Sequence, residues 1–597
     1  MSRRPIRIAS FSGYLGDRFT ALDDVMTGDE FDVVVGDYLA EITLAALSAQ
    51  RAKNPAGGYV RYFLEQLRPH IAQIADQGCK VVVNAGGFNP AGLAEAVRTL
   101  IGEAGIFLRV AHIEGDNVLA RLPQLHAEGH ALENMDSGSP LADWGFEPIA
   151  ANAYLGAWGI AAALRGGADI VICGRITDAS LVVGAAAWWH DWDIEDWDQL
   201  AGAVVAGHII ECGGQATGGN FSGFTTIEGV LEPGFPIAEV AEDGSCVITK
   251  HCKDGGEVTV DTVTAQLVYE IQGPLYLNPD VTVHLEGVRL HQAAPDRVLV
   301  GGAAGSPPPP TTKVAVFAEI GYQVVLTVFA TGLDVQDKVD LLRAQITALA
   351  EPGIIDLDVT PIGTVAQNPD TQWDATVAVR VIATARQRDP LTFRNFASRI
   401  SGLYLSSFPG FYQDTGAQRV MDPQVRIDYW PALLPTSALD HVVVFDDGTC
   451  MTIAPPAVTE VVRQPSHPEP SATQMAPMAT RQVPLGTIAH ARSGDKGGNS
   501  NVGIWVGTDA AWLWLRYELT TERLRSIMPE VKGLDIVRHE FPHLRAIHFV
   551  LRGLLGTGGS SNLRVDQVGK AVGEYLRAKH VDIPTHLLPA REVRHAH

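Results

Sequence analysis

Five short apolar runs in the first 180 residues each end in a turn that contains glycine or a polar side chain. They are IRIASFS, FDVVVGD, CKVVVNAGG, LRVAHIEGD and ADIVICGRITD, and most precede a stretch with helical periodicity. Uninterrupted Val- and Ile-rich runs of this length are typical of parallel strands that are buried on both faces. We therefore expect residues 1–225 to form a parallel α/β domain with a doubly wound sheet.

The polar residues that follow these runs predict one crevice, because ligands of open α/β sheets bind at the carboxyl ends of the strands. These residues are Ser12, Asp17, Arg18, Asp37, Asn84, Glu114, Asp116, Arg175 and Asp178, and Gly86 and Gly87 free the backbone beside Asn84 for a ligand. Arg175 is a candidate ligand for a carboxylate or phosphate, and Asp178 is a candidate general base. The alternative for these two residues is a helix cap with an ion pair. Glu114 and Asp116, with Asp37 and Asp178, are also candidate ligands of Mg²⁺, unless they only form a turn.

The segment 207–224, GHIIECGGQATGGNFSGF, combines acid–base side chains with two glycine pairs. Glu211 is a candidate general acid or base, with His208 beside it, and Cys212 is a candidate nucleophile. Glycine pairs let the backbone approach a ligand, so we expect the loop to contact the substrate. Its contacting residues would be Gly213, Gly214, Gln215, Thr217 and Asn220. A domain junction with Cys212 as a small buried residue is the alternative.

The pattern of the sequence changes after residue 225. Residues 226–454 mix alternating strands with single helices, which predicts an α+β domain. Residues 455–484 are rich in Pro, Ser, Thr and Ala without periodicity, which predicts a linker. Residues 485–597 follow a ββαββα-like order and predict a small two-layer domain.

This last region places two cations, Arg492 and Lys496, beside a glycine-rich turn in an otherwise acidic protein. Such a turn is a candidate cradle for a phosphate or a carboxylate, although a plain hairpin loop is the alternative.

Composition excludes several classes of function. A net charge of −23 argues against a nucleic-acid surface and against docking to anionic membranes. The six cysteines include no CxxC pair, which argues against a disulfide framework or a structural zinc site. Neither GxGxxG nor a Walker motif occurs, so a dinucleotide or ATP site is disfavoured. We expect a cytoplasmic protein, and its size favours a homo-oligomer.

Several longer motifs resemble the bacterial acyclic terpene utilisation protein family. They include GDYLAEITLA, VVVNAGGFNP, VICGRITDASLVVG, AGHIIECGGQATGGNF and TVTAQLVYEIQGPLYLNPDV. The segment from ARSGDKGGNSNVGI onward is similar to that family's C-terminal ferredoxin-like domain. The family is named after gene clusters that degrade citronellol and geraniol through acyl-CoA intermediates. The resemblance therefore implies an acyl-CoA catabolic context, with CoA as part of the substrate, and it supplies no catalytic residues.

Together these features predict an enzyme that acts on an acyl-CoA or branched carboxylic substrate by lyase or hydratase chemistry. Asp178 and Glu211 would be its acid and base, and Arg175 would hold the carbonyl or carboxylate. Arg492 and Lys496 would reach the CoA phosphates or close over the site. Three alternatives are a cysteine-dependent hydrolase or transferase, a non-catalytic partner of an acyl-CoA carboxylase, and a metal-dependent lyase.

Overall fold

The computed structural model describes residues 3–414, 422–470 and 479–589. The chain divides into two compact units. The first unit takes in Met1–Trp144, Ile149–Val316 and Tyr429–His597, and the second takes in Gly145–Pro148 and Phe317–Asp428. The second unit is therefore inserted into the chain of the first. Among the described residues, no helix has the length and apolar character needed to cross a membrane.

The centre of the first unit is an eleven-stranded mixed sheet whose middle strands are parallel. These strands are β1 (Ile6–Ser12), β2 (Val33–Gly36), β3 (Lys80–Val83), β4 (Val110–Glu114) and β6 (Ile170–Cys173). They lie in the order β1-β2-β3-β6-β4. Nearly every residue in them is buried, because both faces of the parallel segment are covered.

Helices connect these strands and the elements beside them. They are α1 (Ala21–Met26), α2 (Glu41–Lys53), α3 (Tyr62–Leu67), α4 (Ile71–Gln77), α5 (Pro90–Glu103), α6 (Leu122–Ala127), α7 (Trp158–Arg165), α8 (Ser180–His190) and α9 (Trp197–Ile210). Apolar residues of α7, α8 and α9 form one core with alternate strand residues such as Ile8 and Val35. Asn89 caps α5 by accepting the N–H of Gly92, and Pro90 is its first helical residue.

The sheet continues past its parallel segment with antiparallel strands, which differs from the predicted doubly wound parallel sheet. Beside β1 lie β7 (Pro236–Val240), β8 (Cys246–Lys250), β12 (Arg297–Gly301) and β11 (Arg289–Ala294), and beside β4 lie β19 (Val442–Val444) and β20 (Cys450–Thr452). The predicted boundary at residue 225 thus does not coincide with an end of this sheet. A half-exposed strand has the same alternating pattern whether it extends an existing sheet or begins a new one.

Two smaller groups complete this part of the chain. A three-stranded sheet contains β9 (Leu275–Leu277), β10 (Thr282–His284) and β13 (Ala304–Ser306). Helix α10 (Val260–Leu267) begins with a capping box between Thr259 and Thr262. Together they lead the chain from α9 to the long strand that enters the second unit.

The second unit is built on a sheet with two helices packed on it. Its strands are β15 (Ile354–Ile362), β16 (Thr376–Ala385) and β17 (Tyr412–Gln413), with the inner parts of β14 (Thr311–Thr331) and β18 (Gln424–Pro435). Its helices are α11 (Val335–Leu349) and α12 (Ala397–Ser401). The ends of β14 and β18 that lie in the first unit join β5 (Pro148–Ala153) in a separate apolar cluster.

The C-terminal part of the first unit has the predicted order of strands and helices, with one further helix and a further two-stranded sheet. A four-stranded antiparallel sheet contains β22 (Ala489–Lys496), β23 (Asn499–Val506), β25 (Ala546–Leu551) and β24 (Ile536–Phe541), in that spatial order. Its helices are α13 (Asp509–Glu518), α14 (Thr521–Ile527) and α15 (Val572–Arg577), and β21 (Thr480–Pro484) pairs with β26 (His580–Pro584).

The two faces of this C-terminal sheet have different partners. One face, which includes Ile504 and Phe549, forms a core with the three helices. The opposite face, which we call the docked face, packs on the rest of the first unit, so that Trp505 belongs to the core of α7–α9. Gly503 allows this approach, because a Cβ there would overlap Val268. The docked face therefore brings C-terminal side chains to the large sheet.

The predicted linker, residues 455–484, is only partly described. Residues 455–470 contain no helix or strand, and the side chain of Gln464 accepts the backbone N–H of Leu275 at 3.0 Å. Residues 471–478 lie outside the described residues, and β21 occupies the last five positions.

Candidate active site

Arg175 and Asp178 lie in the turn after β6 and form an ion pair. Arg175 Nη1 is 2.9 Å from Asp178 Oδ1 and also donates to the carbonyl of Leu39. The guanidinium is buried, and its Cζ lies 4.1 Å from the ring centre of Tyr154. Its Nε has no hydrogen-bond partner among the described residues. Arg175 is thus held firmly, and one of its N–H groups remains for a ligand.

Asp116 positions this turn. Its Oδ2 accepts the backbone N–H of Arg175 at 2.8 Å and the amide of Asn152 at 2.6 Å. Burial raises the pKa of Asp116 to about 6. Sequence reasoning expected Asp116 to contact a substrate, whereas its carboxylate is occupied by the protein itself. Asp116 therefore positions Arg175 through its backbone N–H.

Asp37 and Asn84, at the ends of β2 and β3, are joined by a hydrogen bond. Asn84 Nδ2 donates to Asp37 Oδ1 at 2.6 Å, and Asn84 Oδ1 accepts the backbone N–H of Tyr38 at 2.7 Å. Burial and the neighbouring charge of Asp178 raise the pKa of Asp37 well above its ordinary value. The strand ends therefore place a neutral carboxyl group close to the Arg175–Asp178 pair.

An ion pair that sequence reasoning missed lies beside Arg175. Lys313 Nζ is 2.8 Å from Glu41 Oε1, which also accepts the hydroxyl of Tyr154 at 3.1 Å. Burial works to raise the pKa of Glu41, but Lys313 and Arg175 outweigh it and hold that pKa far below its usual range. Glu41 is consequently ionised, and it balances part of the positive charge in the crevice.

His208 and Glu211 form a buried pair at the end of α9. His208 Nδ1 lies 3.2 Å from Glu211 Oε1, and the imidazole packs edge-to-face on Tyr276 with ring centres 5.1 Å apart. His208 Nε2 and Glu211 Oε2 are both buried without a hydrogen-bond partner among the described residues. Native proteins rarely leave two such atoms unpaired, so this is where a ligand would complete the structure.

The protonation of this pair follows from its surroundings. Burial, and next the charge of Asp178, raise the pKa of Glu211 well above its ordinary value. Burial, with Lys496 nearby, lowers the pKa of His208 to about 4. At neutral pH the pair is therefore a carboxylic acid beside a neutral imidazole, within electrostatic reach of Asp178. A proton donor and an ionised carboxylate partnered by arginine meet in one place.

The docked face of the C-terminal sheet closes over this pair. Lys496, at the end of β22, has its Nζ 3.6 Å from Glu270 Oε2, and Lys570 Nζ is 2.8 Å from Glu270 Oε1. Glu270 has a φ of 52°, a left-handed conformation that is uncommon outside glycine. Although burial opposes it, Glu270 and Tyr276 raise the pKa of Lys496 above its usual range. The ammonium group of Lys496 is therefore charged beside the acid–base pair.

Arg492 joins the C-terminal sheet to the loop at 213–220. Its guanidinium donates to the carbonyl of Asn220 at 3.2 Å and to the side-chain oxygen of Gln215. Its Cζ lies 4.5 Å from the ring centre of Tyr269. Gln215, through its side chain, and Asn220, through its backbone carbonyl, hold Arg492, and their contact with substrate stays a prediction.

The loop glycines serve close packing. A Cβ at Gly213, where φ is 57°, would lie 2.6 Å from Phe235, and one at Gly214 would contact Pro233. The hydroxyl of Thr217 donates to the carbonyls of Gly214 and Gly234 at 2.9 and 2.6 Å. These residues shape the loop that carries Gln215, and their expected contact with substrate has no support in their present partners.

The glycines after β3 have a similar packing role. A Cβ at Gly86 would lie 2.5 Å from the carbonyl oxygen of Cys173, and one at Gly87 would lie 2.6 Å from that of Gly58. Glycine at these positions lets the turn after β3 lie directly on the end of β6 and on the loop that contains Gly58.

Glu114 lies apart from the cluster. Its side chain is half-exposed and 3.2 Å from His112, at the end of β4 where β19 adds to the sheet. Asp116 is engaged with backbone and amide donors, so the two carboxylates do not converge on one point. Among the described residues, no group of three or more His, Cys, Asp or Glu side chains is arranged to hold a metal ion. The residues present therefore do not fit the Mg²⁺ site considered from sequence.

Cys212 sits between the acid–base pair and the C-terminal cations. Burial, followed by the charges of Glu211 and Glu270, raises the pKa of its thiol well above the ordinary value, although Lys570 and Arg492 act in the opposite direction. A nucleophilic cysteine needs a thiolate. The surroundings of Cys212 thus favour the thiol form.

Several residues of the cluster carry no motif that reveals them in the sequence. They are Glu41, Tyr154, Tyr269, Glu270, Tyr276, Lys313, Asp495 and Lys570. The nearest signal is that Glu41 and Glu270 fall within the motifs GDYLAEITLA and TVTAQLVYEIQGPLYLNPDV as isolated charged residues, and that Lys313 follows a run of four prolines. Sequence spacing alone does not show that these segments meet.

Comparison with known families agrees with this architecture. The model of the acyclic terpene utilisation family protein AtuA matches residues 6–445. This range contains the strand-end residues of the crevice, the His208–Glu211 pair and Lys313. The chain belongs to the acyclic terpene utilisation family. The model of the AtuA ferredoxin-like domain matches residues 483–582, which carry Arg492, Lys496 and Lys570. The resemblance seen in the sequence is thereby confirmed.

Membership implies a role in acyclic terpene utilisation. Searches of curated proteins and of solved structures each found no match to the chain. The chemistry of the site has therefore to be argued from its own residues.

Proposed function

We propose that this member of the acyclic terpene utilisation family is a lyase or hydratase that adds water to an α,β-unsaturated acyl thioester such as an enoyl-CoA, or removes water from the corresponding β-hydroxyacyl thioester. The observation that carries the proposal is the buried His208–Glu211 pair with two unpaired polar atoms, set against the Arg175–Asp178 ion pair. Acid–base catalysis commonly uses two carboxyl groups, one kept protonated by its surroundings and the other kept ionised.

Asp178 and Glu211 divide the proton transfers. In the hydration direction, the carboxylate of Asp178 accepts a proton from water while the water oxygen bonds to the β-carbon. The π electrons of the double bond move toward the thioester carbonyl, and the acid of Glu211 gives its proton to the α-carbon. Asp178 ends protonated and Glu211 ends ionised, and one proton returned through solvent restores the starting state. Elimination of water follows the same path backward.

Positive charge stabilises the intermediate. Negative charge develops on the thioester oxygen, and the unpaired Nε–H of Arg175 and the ammonium of Lys496 are the donors at hand. Tyr154 and Leu39 fix the guanidinium before substrate arrives, so little reorganisation accompanies the step. His208, neutral at physiological pH, orients the carboxyl group of Glu211 through its Nδ1.

Turnover is tested with a panel of linear and branched enoyl thioesters in D₂O. We expect deuterium at the α-carbon of the hydrated product, detected by mass spectrometry. Glu211→Gln keeps the shape of the acid but cannot give up a proton, so it should lower kcat by roughly 10²-fold or more. Glu232→Gln, an exposed change nearby in sequence, is the matched control and should have no effect.

The pH profile gives an independent check. Since the charge of Asp178 helps to raise the pKa of Glu211, Asp178→Asn should move the basic limb of the residual activity to lower pH. Full activity of Glu211→Gln, or absence of any water addition or elimination across the panel, would overturn the proposal.

A further inference from the structure

Arg492 is a buried cation without a carboxylate partner. It is 8 % exposed, and its hydrogen bonds go only to neutral oxygens of Asn220 and Gln215. Its Nε is buried without an acceptor, and no ion pair involves it among the described residues. Burying a charge in this way is unfavourable unless an anion completes the site.

The same domain shows how it compensates a buried arginine that has only a structural role. Arg538, on the opposite face of the sheet, donates to Glu540 at 2.8 Å and to the carbonyls of Leu519 and Arg516 at 2.9 and 3.0 Å. Each of its three nitrogens has a partner, and one partner is a carboxylate. Arg492 lacks both features, which sets it apart from the general packing of the domain.

A second cation shares the aromatic ring that Arg492 covers. Lys570 Nζ lies 4.3 Å from the ring centre of Tyr269 and donates to its hydroxyl. A Cβ at Gly494 would lie 2.5 Å from this ring, so only glycine allows Tyr269 to take the position in which both cations contact it. The two positive groups are thus held together by a rigid platform.

The local charge is unbalanced. Arg492, Lys496 and Lys570 lie around one ion-paired carboxylate, Glu270. A further carboxyl group, Asp495, has its pKa raised to about 8 by burial and by Glu270, so it is mostly neutral at physiological pH. With the neighbouring Arg175 and Lys313, these cations outnumber the ion-paired carboxylates of the crevice, which are Glu270, Asp178 and Glu41. Such an excess of positive charge fits an anionic ligand.

We propose that Arg492 and Lys570, which both contact the ring of Tyr269, form an anion subsite for a second negatively charged group of the substrate, a carboxylate or a phosphate. This inference depends on the proposed function in one respect only, which is the position of the reacting bond beside Glu211. Cys212 is within electrostatic reach of Glu211 as well as of Lys570 and Arg492, so the subsite adjoins the acid–base pair. The substrate would then span from the anion subsite to Glu211, with its charged end under the C-terminal sheet.

Two sources would supply such a group. One is a carboxylate on the acyl chain, and the other is a phosphate of coenzyme A. Glutarate, which is a short dicarboxylate, and free coenzyme A separate them as probes. Direct binding of each probe to the full-length protein is measured by isothermal titration calorimetry, together with the thermal unfolding midpoint, and neither measurement needs turnover.

The variants are Arg492→Met and Lys570→Met, with Arg481→Met on the exposed strand β21 as the control. We expect Arg492→Met and Lys570→Met to weaken one probe at least tenfold and the control to leave both unchanged. Loss of glutarate binding identifies an acyl carboxylate, and loss of coenzyme A binding identifies a phosphate.

The unliganded proteins supply the second readout. Because Arg492 is uncompensated without a ligand, Arg492→Met should keep or raise the unfolding midpoint of the free protein. Affinity for both probes within twofold of wild type in both variants would overturn the inference, and so would a lower midpoint of free Arg492→Met with unchanged binding. Tight binding without any turnover would instead refute the proposed function and leave the subsite standing.

Discussion

Two histidines on the docked face make the attachment of the C-terminal sheet sensitive to acid. His539 and His548 face each other across β24 and β25 and are both 0 % exposed. Their four ring nitrogens make no well-aligned hydrogen bond among the described residues, although the backbone of Gln272 lies close to His539. A third histidine, His467, has its ring centre 5.7 Å from that of His539 and its Nε2 3.1 Å from Glu286.

The loss of stability at acid pH can be calculated from the pKa values of the two histidines. Burial, with His467 nearby, lowers the pKa of His539 to about 4, and burial with His539 lowers that of His548 to about 3. An unfolded histidine has a pKa of about 6.5. Each folded pKa is below the unfolded one, so stability is full above pH 6.5 and falls as the pH drops toward the folded values. By linkage, each histidine removes about 2 kcal/mol at pH 5, and the pair about 4 kcal/mol.

The assay is hydrogen exchange of the amides of β24 and β25 at pH 7.5 and pH 5, expressed as opening free energies. His539→Leu/His548→Leu removes both titrating groups, and His580→Leu, on the exposed side of β26, is the control. Acids with raised pKa values, such as Glu211, change stability in the opposite direction, but they cancel when variants are compared. We expect wild type and control to lose about 4 kcal/mol more than the double variant. Equal losses in all three proteins would refute the reasoning.

Three further predictions concern packing and charge in the first unit. Lys313→Met removes the cation paired with Glu41, whose side chain is 26 % exposed and keeps the hydroxyl of Tyr154, so urea unfolding should show a loss of about 1–3 kcal/mol, most of which Lys313→Met/Glu41→Gln should recover. Gly503→Val should lower both the melting temperature and turnover, because its side chain would overlap Val268. Gly507→Val is the control and should change neither, because there is open space around its Cβ. Asp116→Ala should lower kcat with little change in KM, because Arg175 loses its backbone anchor; an unchanged kcat would contradict that role.

The parallel strands could be predicted because each one is encoded by a short run of consecutive apolar residues. β3, for example, occupies Lys80–Val83, within the apolar run CKVVV, and Arg175 and Asp178 lie in the turn that follows β6. Apolar strand runs and the turns after them are set by a few consecutive residues. The same local reasoning placed Asp37 and Asn84 at adjacent strand ends, where the structure joins them by a hydrogen bond.

The rest depended on contacts that no short window of sequence contains. Glu41 and Lys313 are 272 positions apart, and neither residue type nor spacing indicates that they pair. The side chain of Gln215 was expected to face a ligand, whereas it meets Arg492 of a distant segment. The alternating pattern of β22 shows that Arg492 and Lys496 share a face, but not what that face packs against.

The insertion of the second unit has a consequence for biosynthesis. The candidate site draws on side chains from Asp37 to Lys570, and about 110 residues of another unit are made between its two halves. While the ribosome is still adding the last quarter of the chain, the strand ends of the large sheet stand uncovered with their carboxyl groups and Arg175. Chain segments so far apart in sequence come together late. We therefore expect the nascent chain to bind chaperones until β22 has been synthesised, and forms truncated before β22 to remain dependent on them.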